Sequence, residues 1–328
     1  MNYLAIDVGG TFTKYAMMNQ NCDFLEKGKI PTVTASFKSF IQSLVNLYER
    51  YASQVKGIAL SMPGLIDSAS GFMYTGGFID CISNINIIDT LHHYCPVPIT
   101  VGNDAKCAAL AEIWKGSLQD CQNAVVMVIG TGVGGAVIQN RHVVNGHHFM
   151  AGEFSYTLVG KDIPASIDNA FGLRSGVPGL IHYASESMKI PEEELDGKII
   201  FNAANCGDAK ALEALRRYAA DLALQINNYC FILDPDKIAI GGGISAQPLL
   251  LQLVKEELKK INDLYSYWRI PMPEVVNCKF FNDSNLIGAL YIHLKSTEPQ
   301  FDAGQMEKLW DLVKERREGK YLMELLTN

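Results

Sequence analysis

The stretch "GNDAKCAALAEIWKG" at 102–116 sets an Asn–Asp pair directly ahead of a small-residue-rich helical pattern. A carboxylate in that place has two physically sound uses. It can accept the free N–H groups of a helix's first turn and sit well against the helix dipole, which would make Asp104 a cap. Alternatively, held beside a substrate hydroxyl, it can take the hydroxyl's proton as the oxygen attacks an electrophile. This stretch alone leaves both open.

Glycines supply the next chemistry. Residues 130–135, "GTGVGG", satisfy G-x-G-x-x-G after a strand, and Glu153 stands where a dinucleotide-binding fingerprint wants its acid. The element that follows is wrong for that reading. "AVIQNRHVV" alternates and is β-branched, with no helix N-terminus for a pyrophosphate. "DVGGTFTKYAMM" likewise runs from its glycines through Thr11 into a strand. Two Gly-turn hairpins facing each other make a different phosphate device, in which backbone N–H groups converge on a polyphosphate while an acid near the first turn, Asp7, holds its magnesium through water. The plainer alternative is that Gly9, Gly10, Gly132, Gly134 and Gly135 supply positive φ for tight hairpins.

The elements that must position these residues alternate between strand and helix. "NYLAIDVGG", "TKYAMMN" and "DFLEKGKIPTV" read as a meander of three strands. The helix that follows carries Phe37, Phe40, Ile41, Leu44, Val45, Leu47 and Tyr48 at helical spacing, and "VKGIALSMPG" is then a buried strand. The second half restarts the pattern with "NAVVMVIGTGVGGAVIQNRHVVNG". Later "DLALQINNYCFILDPDKIAIGGGI" reads as helix, Asp-Pro turn, strand and a triple glycine opening the next helix. Two copies of one design are expected, with the crossing between them made by packed elements such as the helix beginning at Asp104.

Composition excludes several classes. The 328 residues, 48% hydrophobic and 19% charged, suit a globular chain with a substantial core. Apolar runs such as "NAVVMVIG" are strand-length, far below the roughly 18 residues a membrane span needs. "MNYLAIDVGG" lacks the basic region of a signal peptide, so a cytoplasmic location is expected. A net charge of −7 without a basic block speaks against nucleic acid and anionic membrane surfaces as partners. The eight cysteines stand singly, with no C-x-x-C pair, as small core hydrophobes would.

Taken in order, "AIDVGGTFTKYAMM", "GIALSMPGLIDSASG", "VGNDAKCAALAE", "VVMVIGTGVGGAVIQN", "NGHHFMAGEFSYTLV" and "KIAIGGGI" resemble the ROK family of bacterial sugar kinases and related repressors, over about residues 3–295. The resemblance implies an α/β, two-lobed actin-like ATPase fold with a duplicated ribonuclease-H-like sheet. The N-terminal lobe would comprise 1–115 plus about 286–328, and the C-terminal lobe 116–285. ATP and Mg²⁺ are the implied cofactors. Asp7, Gly9, Gly10 and Thr11 would form the first phosphate turn, and Gly130, Thr131, Gly132, Gly134 and Gly135 the second. Gly241, Gly242 and Gly243 would border the adenosine. Asp104 would be the base that takes the proton of a sugar hydroxyl, with O6 expected. Gly64, Gly77, Asn84, Asn103, Glu153 and Tyr156 would meet the sugar.

One segment departs from the family pattern, in which the Glu is followed by x-Gly-His and the His also holds a zinc completed by clustered cysteines. Here Ser155 and Tyr156 replace Gly and His, and "SIDNAFGLRSGVPGLIHYA" contains no cysteine. His147 and His148 are adjacent, would diverge on a strand, and read as loop residues. A repressor would place a helix-turn-helix ahead of the first phosphate turn, which here begins at residue 7. A non-catalytic sugar sensor would be expected to lose the base or a phosphate turn. Beyond residue 295 the chain runs on, with Met306, Leu309, Trp310 and Val313 on one helical face that could pack on its own lobe or cover a neighbour; a homodimer is expected. The missing ligands predict that elemental analysis of the purified protein finds no stoichiometric zinc, and that activity survives a chelator once magnesium is restored. One zinc per chain would overturn this.

Overall fold

Apolar residues at nearly every position of "NYLAIDV" and "AVVMVI" call for strands buried on both faces, and each of these strands is the middle one of a five-stranded sheet. The computed structural model describes residues 1–159 and 166–297. In the first sheet β1 (Asn2–Val8), β2 (Phe12–Asn19) and β3 (Phe24–Pro31) form an antiparallel meander. After helix α1 (Phe37–Glu49), β4 (Ile58–Met62) lies parallel to β1. The short strands β5 (Ile66–Asp67), β6 (Phe72–Met73) and β7 (Ile85–Asn86) make a small sheet of their own, followed by α2 (Ile87–His92). β8 (Ile99–Asn103) then pairs with β4, giving the order β3-β2-β1-β4-β8.

The second sheet repeats the plan. β9 (Ala124–Ile129), β10 (Val133–Gln139) and β11 (His142–Val143) form the meander, and β12 (Lys237–Gly242) and β13 (Glu274–Asn277) add parallel strands in the order β11-β10-β9-β12-β13. The duplicated meander expected from the sequence is present. Between β11 and β13 lie α4 (Phe171–Ser175), α5 (Val177–Met188), α6 (Gly197–Asn205), α7 (Ala209–Leu233) and α8 (Pro248–Asp263). Two large apolar cores result, one built on residues from Leu4 to Val101 and the other from Val125 to Val275.

Helix α3 (Asp104–Lys115) packs on β4 and β8 of one sheet and on β9, β10 and β11 of the other. Its small residues, Ala105, Cys107, Ala108, Ala109 and Ala111, are buried and let it sit close. α9 (Ser284–Thr297) approaches it to backbone contact: a side chain at Gly288 would run into the Cys107 carbonyl. The chain forms a compact unit from Met1 to His293; a second unit begins at Leu294, of which residues 294–297 are described. The amphipathic stretch around Trp310 lies outside the described residues.

Two expectations need correction. The triple glycine does not open a helix: Gly241 and Gly242 finish β12, a 3₁₀ turn covers Gly243–Ala246, and α8 starts at Pro248. Gly9, Gly10, Gly132, Gly134 and Gly135 are not among the glycines with left-handed φ. What they provide is room; a Cβ on Gly135 would collide with the Phe154 ring. His147 and His148 lie in a loop, as expected, but their rings meet edge to face with centroids 4.6 Å apart, because off a strand the side-chain alternation no longer holds.

Glu112, on α3, looks in sequence like a polar-face residue and is fully buried. Its Oε2 accepts the Ser117 N–H at 2.7 Å and the Ser117 hydroxyl at 3.0 Å, while Oε1 accepts the N–H groups of Lys279 and Phe280 at 2.9 and 3.1 Å. One carboxylate thus ties the end of α3 to the segment that leads into α9. Glu112→Ala leaves three backbone donors without an acceptor and is expected to cost about 3 kcal/mol or more, read as a lower urea midpoint at unchanged slope. Glu112→Gln should recover little, because its amide NH₂ would face N–H donors. A loss below about 0.5 kcal/mol, the range of ordinary surface changes, would remove Glu112 from this role.

Candidate active site

Strand register sets the company of Asp7. Lys14 lies opposite it on β2 and Ser61 beside it on β4. The Ser61 hydroxyl and the Asn285 amide, from α9, both donate to Oδ1 of Asp7 at 2.9 Å, and the Lys14 ammonium stands 3.8 Å from Oδ2. Burial pushes the Asp7 carboxyl above its ordinary range, against the opposing effects of Asn285, Lys14 and Ser61. This donor chemistry fits magnesium, which takes hard oxygen ligands and commonly holds to a protein by one or two carboxylates while water and phosphate complete its shell. Among the described residues no three His, Cys, Asp or Glu side chains are grouped to hold a metal by themselves.

At the start of α3 the capping role weighed for Asp104 falls to its neighbour. The cap is Asn103: its Oδ1 accepts the Lys106 N–H at 3.1 Å, and its Nδ2 donates to the Gly64 carbonyl at 3.0 Å. Asp104 is the first residue of the helix itself and accepts the Ala105 N–H on Oδ1 at 2.7 Å. Burial pushes its carboxyl up to about 7; the Ala105 hydrogen bond works against this, and the charges of Asp7 and Glu153 add to it. Asp7, Asp104 and Glu153 therefore share one electrostatic neighbourhood. Burial also raises the Glu153 carboxyl, and Lys106 draws it back.

Lys106 was not anticipated. Its ammonium donates to Asn145 Oδ1 at 3.2 Å and to the Phe149 carbonyl at 3.0 Å, so α3 reaches across to the 145–153 loop that carries Glu153. Burial lowers its pKa and the Glu153 charge opposes that. A lysine on an otherwise small and apolar helix face was the available signal. Ser61 and Asn285 carried no local signal, since register and tertiary packing bring them to Asp7.

Around this centre, Gly64 and Gly77 both have left-handed φ and pack against each other, a Cβ on Gly77 lying 3.3 Å from the Gly64 nitrogen. The Asn103 amide joins them through Gly64. Asn84 is exposed, with left-handed φ, on the same loop. In the first turn, Gly9 and Gly10 precede an exposed Thr11; the Gly9 N–H donates to the Phe12 carbonyl at 3.1 Å, and the Phe78 ring lies against Gly10. In the second turn the Gly130 N–H donates to the Gly132 carbonyl at 2.9 Å, and Thr131 is exposed. A Cβ on Gly130 would meet nothing within 4 Å, which leaves open space over the turn. Gly134 packs on Ala105, so the second turn's strand touches the helix that carries Asp104. Gly242 has φ +93° and lies against the Ile129 carbonyl, which places the triple glycine beside that turn, with Gly243 open. Tyr156 is 67% exposed. Fold and register thus bring Asp7, Asn103, Asp104, Glu153, Gly64 and the second glycine turn into one region. Asn84 and Tyr156 lie at its exposed margin.

The arrangement offers a carboxylate with a raised pKa, an acid whose surroundings suit a hard cation, and a second glycine turn with open space over Gly130. The chain matches the ROK family over residues 3–296. It is 30% identical over 294 residues to the beta-glucoside kinase of Klebsiella pneumoniae, covering 89% of this chain and 95% of that one. It is also 30% identical over 281 residues to the glucokinase of Halalkalibacterium halodurans, covering 78% and 85%. A ROK family protein from Streptococcus pneumoniae, solved in complex with sucrose, superposes with a TM-score of 0.79 at 29% identity, over 90% of this chain and 99% of that one. With family motifs in order and two copies of one mixed sheet, the chain belongs to the ROK family of sugar kinases and has its two-lobed, actin-like ATPase fold.

Proposed function

We propose that this kinase transfers the γ-phosphoryl group of ATP to a hexose hydroxyl, O6, of glucose or a related or substituted sugar, with Asp104 as the general base. The observation that carries the reading is the division of labour at the start of α3. Asn103 caps the helix, which leaves Asp104 with an oxygen uncommitted to the cap and a carboxyl poised near neutrality. As the sugar oxygen bonds to the γ-phosphorus and the bond from that phosphorus to the ADP oxygen breaks, the hydroxyl proton passes to Asp104. Such transfers rest mainly on positioning and charge stabilisation, with base assistance of about 10²–10⁴-fold.

The glycine turns at Gly9–Thr11 and Gly130–Gly135 would offer backbone N–H groups to the phosphates, and Gly241–Gly243 would border the adenosine. Bound magnesium, held through water by Asp7, would neutralise phosphate charge. Asn103, Glu153, Gly64, Gly77, Asn84 and Tyr156 would orient the sugar; Lys106 holds the Glu153 loop against α3. The proposal carries with it a cytoplasmic homodimer that takes a small-molecule sugar and neither nucleic acid nor membrane. Among the described residues no helix is long and apolar enough to cross a membrane.

Asp104→Asn is expected to lower turnover about 10²-fold or more with far less change in sugar affinity, measured as ATP-dependent product formation beside sugar binding. Near-normal turnover would remove the base role. Only the deprotonated carboxylate accepts a proton, so kcat/KM of the parent should fall tenfold per pH unit below about 7. The sign for stability is opposite. A carboxyl whose folded pKa is raised favours folding in its protonated form, so Asp104→Asn should raise Tm most above pH 7, and the gain should fade towards pH 4. A variant equally stabilised at pH 5 and pH 8 would count against the shifted carboxyl.

The acceptor's anomeric end is expected to be open. Tyr156, Met150 and Tyr74 are 67%, 48% and 45% exposed near the sugar residues, leaving apolar and aromatic surface on which a pyranose substituent could stack. A panel of glucose, mannose, fructose, N-acetylmannosamine, N-acetylglucosamine and cellobiose, with ATP and magnesium, should reveal tolerance of a group at C1 or C2. Efficient, exclusive use of unsubstituted glucose would defeat this expectation. ATP binding without activity on any hexose would favour a sensor.

A further inference from the structure

Ser155 lies between two parts of the site. Glu153 stands two residues before it and Tyr156 directly after it, and its hydroxyl is hydrogen-bonded to the end of the second glycine turn. Ser155 Oγ accepts the Val133 N–H at 3.1 Å and donates to the Val133 carbonyl at 3.2 Å. Val133 is buried and begins β10 immediately after "GTG". The fit is close on every side. A Cβ on Gly132 would stand 2.9 Å from Ser155 Oγ, and one on Gly172, in α4, would collide with the same atom. The turn is gripped from its other side as well, by the Val177 N–H donating to the Gly130 carbonyl at 2.8 Å.

The Ser155 hydroxyl thus satisfies both backbone groups of the residue that closes the turn, where an unpaired buried N–H is costly. Within the turn, the Gly130 N–H is turned inward onto the Gly132 carbonyl, so its shape is set by which carbonyls and N–H groups are engaged from outside. We infer that Ser155 is a positioning residue for ATP, its hydroxyl fixing the Gly130–Val133 turn in the conformation that receives the phosphates. This rests on the proposed assignment of that turn to the phosphates.

The test compares Ser155→Ala and Ser155→Gly with two further variants. Thr157→Val removes a comparable hydrogen bond in the same segment, from the Thr157 hydroxyl to the Phe154 carbonyl at 2.8 Å, without touching the turn. Gly130→Val fills the open space over the turn. With urea midpoints as a check on folding, Ser155→Ala and Ser155→Gly should raise the KM for ATP about three- to tenfold, the worth of one or two neutral hydrogen bonds. The KM for the sugar should stay within about twofold of the parent's, an effect too small to represent a lost contact. Midpoint shifts of ADP-magnesium binding should follow the same order, with Thr157→Val resembling the parent. An unchanged ATP KM in both Ser155 variants, or an equal rise in Thr157→Val, would overturn the inference. If Gly130→Val also leaves the ATP KM unchanged, it is the phosphate assignment of the turn that has failed; if Gly130→Val raises it and the Ser155 variants do not, the inference about Ser155 alone has failed.

Discussion

Everything else in the site depends on holding three carboxylates in one poorly hydrated place. The charges of Asp7 and Glu153 both bear on Asp104, and burial raises the cost of each of the three charges. The answer is unequal treatment. Asp7 is met by Lys14, Ser61 and Asn285, and Glu153 has Lys106 nearby, but the influences that lower the Asp104 carboxyl are two backbone N–H groups, those of Ala105 and of Asp104 itself, with no cation among them. The unmet cost falls on Asp104, and a pKa near neutrality is what the base role proposed for it would call for. A chain at −7 with no basic block would have to receive a polyphosphate through backbone N–H groups and a divalent cation instead of a basic face.

Two helices set the geometry on which that balance rests. α3 carries Asp104 at its start and Glu112 near its end, and the Glu112 carboxylate binds the segment entering α9, whose Asn285 returns to Asp7. Asp104 and Asp7 are thereby tied through one hydrogen-bonded route, besides the sheet that joins β1, β4 and β8. The small residues along α3 and Gly288 on α9 are what allow the helices to approach so closely.

Much of this was legible in the chain. The apolar strand runs, the helical spacing from Phe40 to Tyr48 and the repeated strand–glycine–strand pattern gave the two meanders, because period and burial are local properties of sequence. Partnership is not local. Asn285 lies 278 positions from the carboxylate it serves, and no spacing rule could connect them. Glu112 was hidden because a buried carboxylate and a solvated one look alike until the donors that satisfy it are placed. In sequence the cap could be placed at Asp104, whereas Asn103, a residue type that caps about equally well, holds that place. Their backbone positions, one before the helix and one inside it, decided the matter. The glycines were misread in one respect: a turn glycine invites an argument from φ, whereas Gly134 and Gly135 are glycines because Ala105 and Phe154 occupy the space a side chain would need.

The duplication makes the same point about chemistry. In the first sheet, register puts Lys14 and Ser61 on either side of Asp7. In the second, the corresponding place on the middle strand is Val128, flanked by Gly134 and Gly241. The backbone plan is common to both, yet one copy carries an acid, an ammonium and a hydroxyl where the other carries an apolar residue and two glycines. The two trios are complementary in what they can offer a nucleotide. A second acid facing a polyphosphate would oppose its binding, and a second Lys–Ser pair would press on Ala105 at Gly134 and on Cys278 at Gly241. A repeated fold provides two similar surfaces; the residues at matched register give one of them an acid whose surroundings suit a hard cation and leave the other with bare backbone.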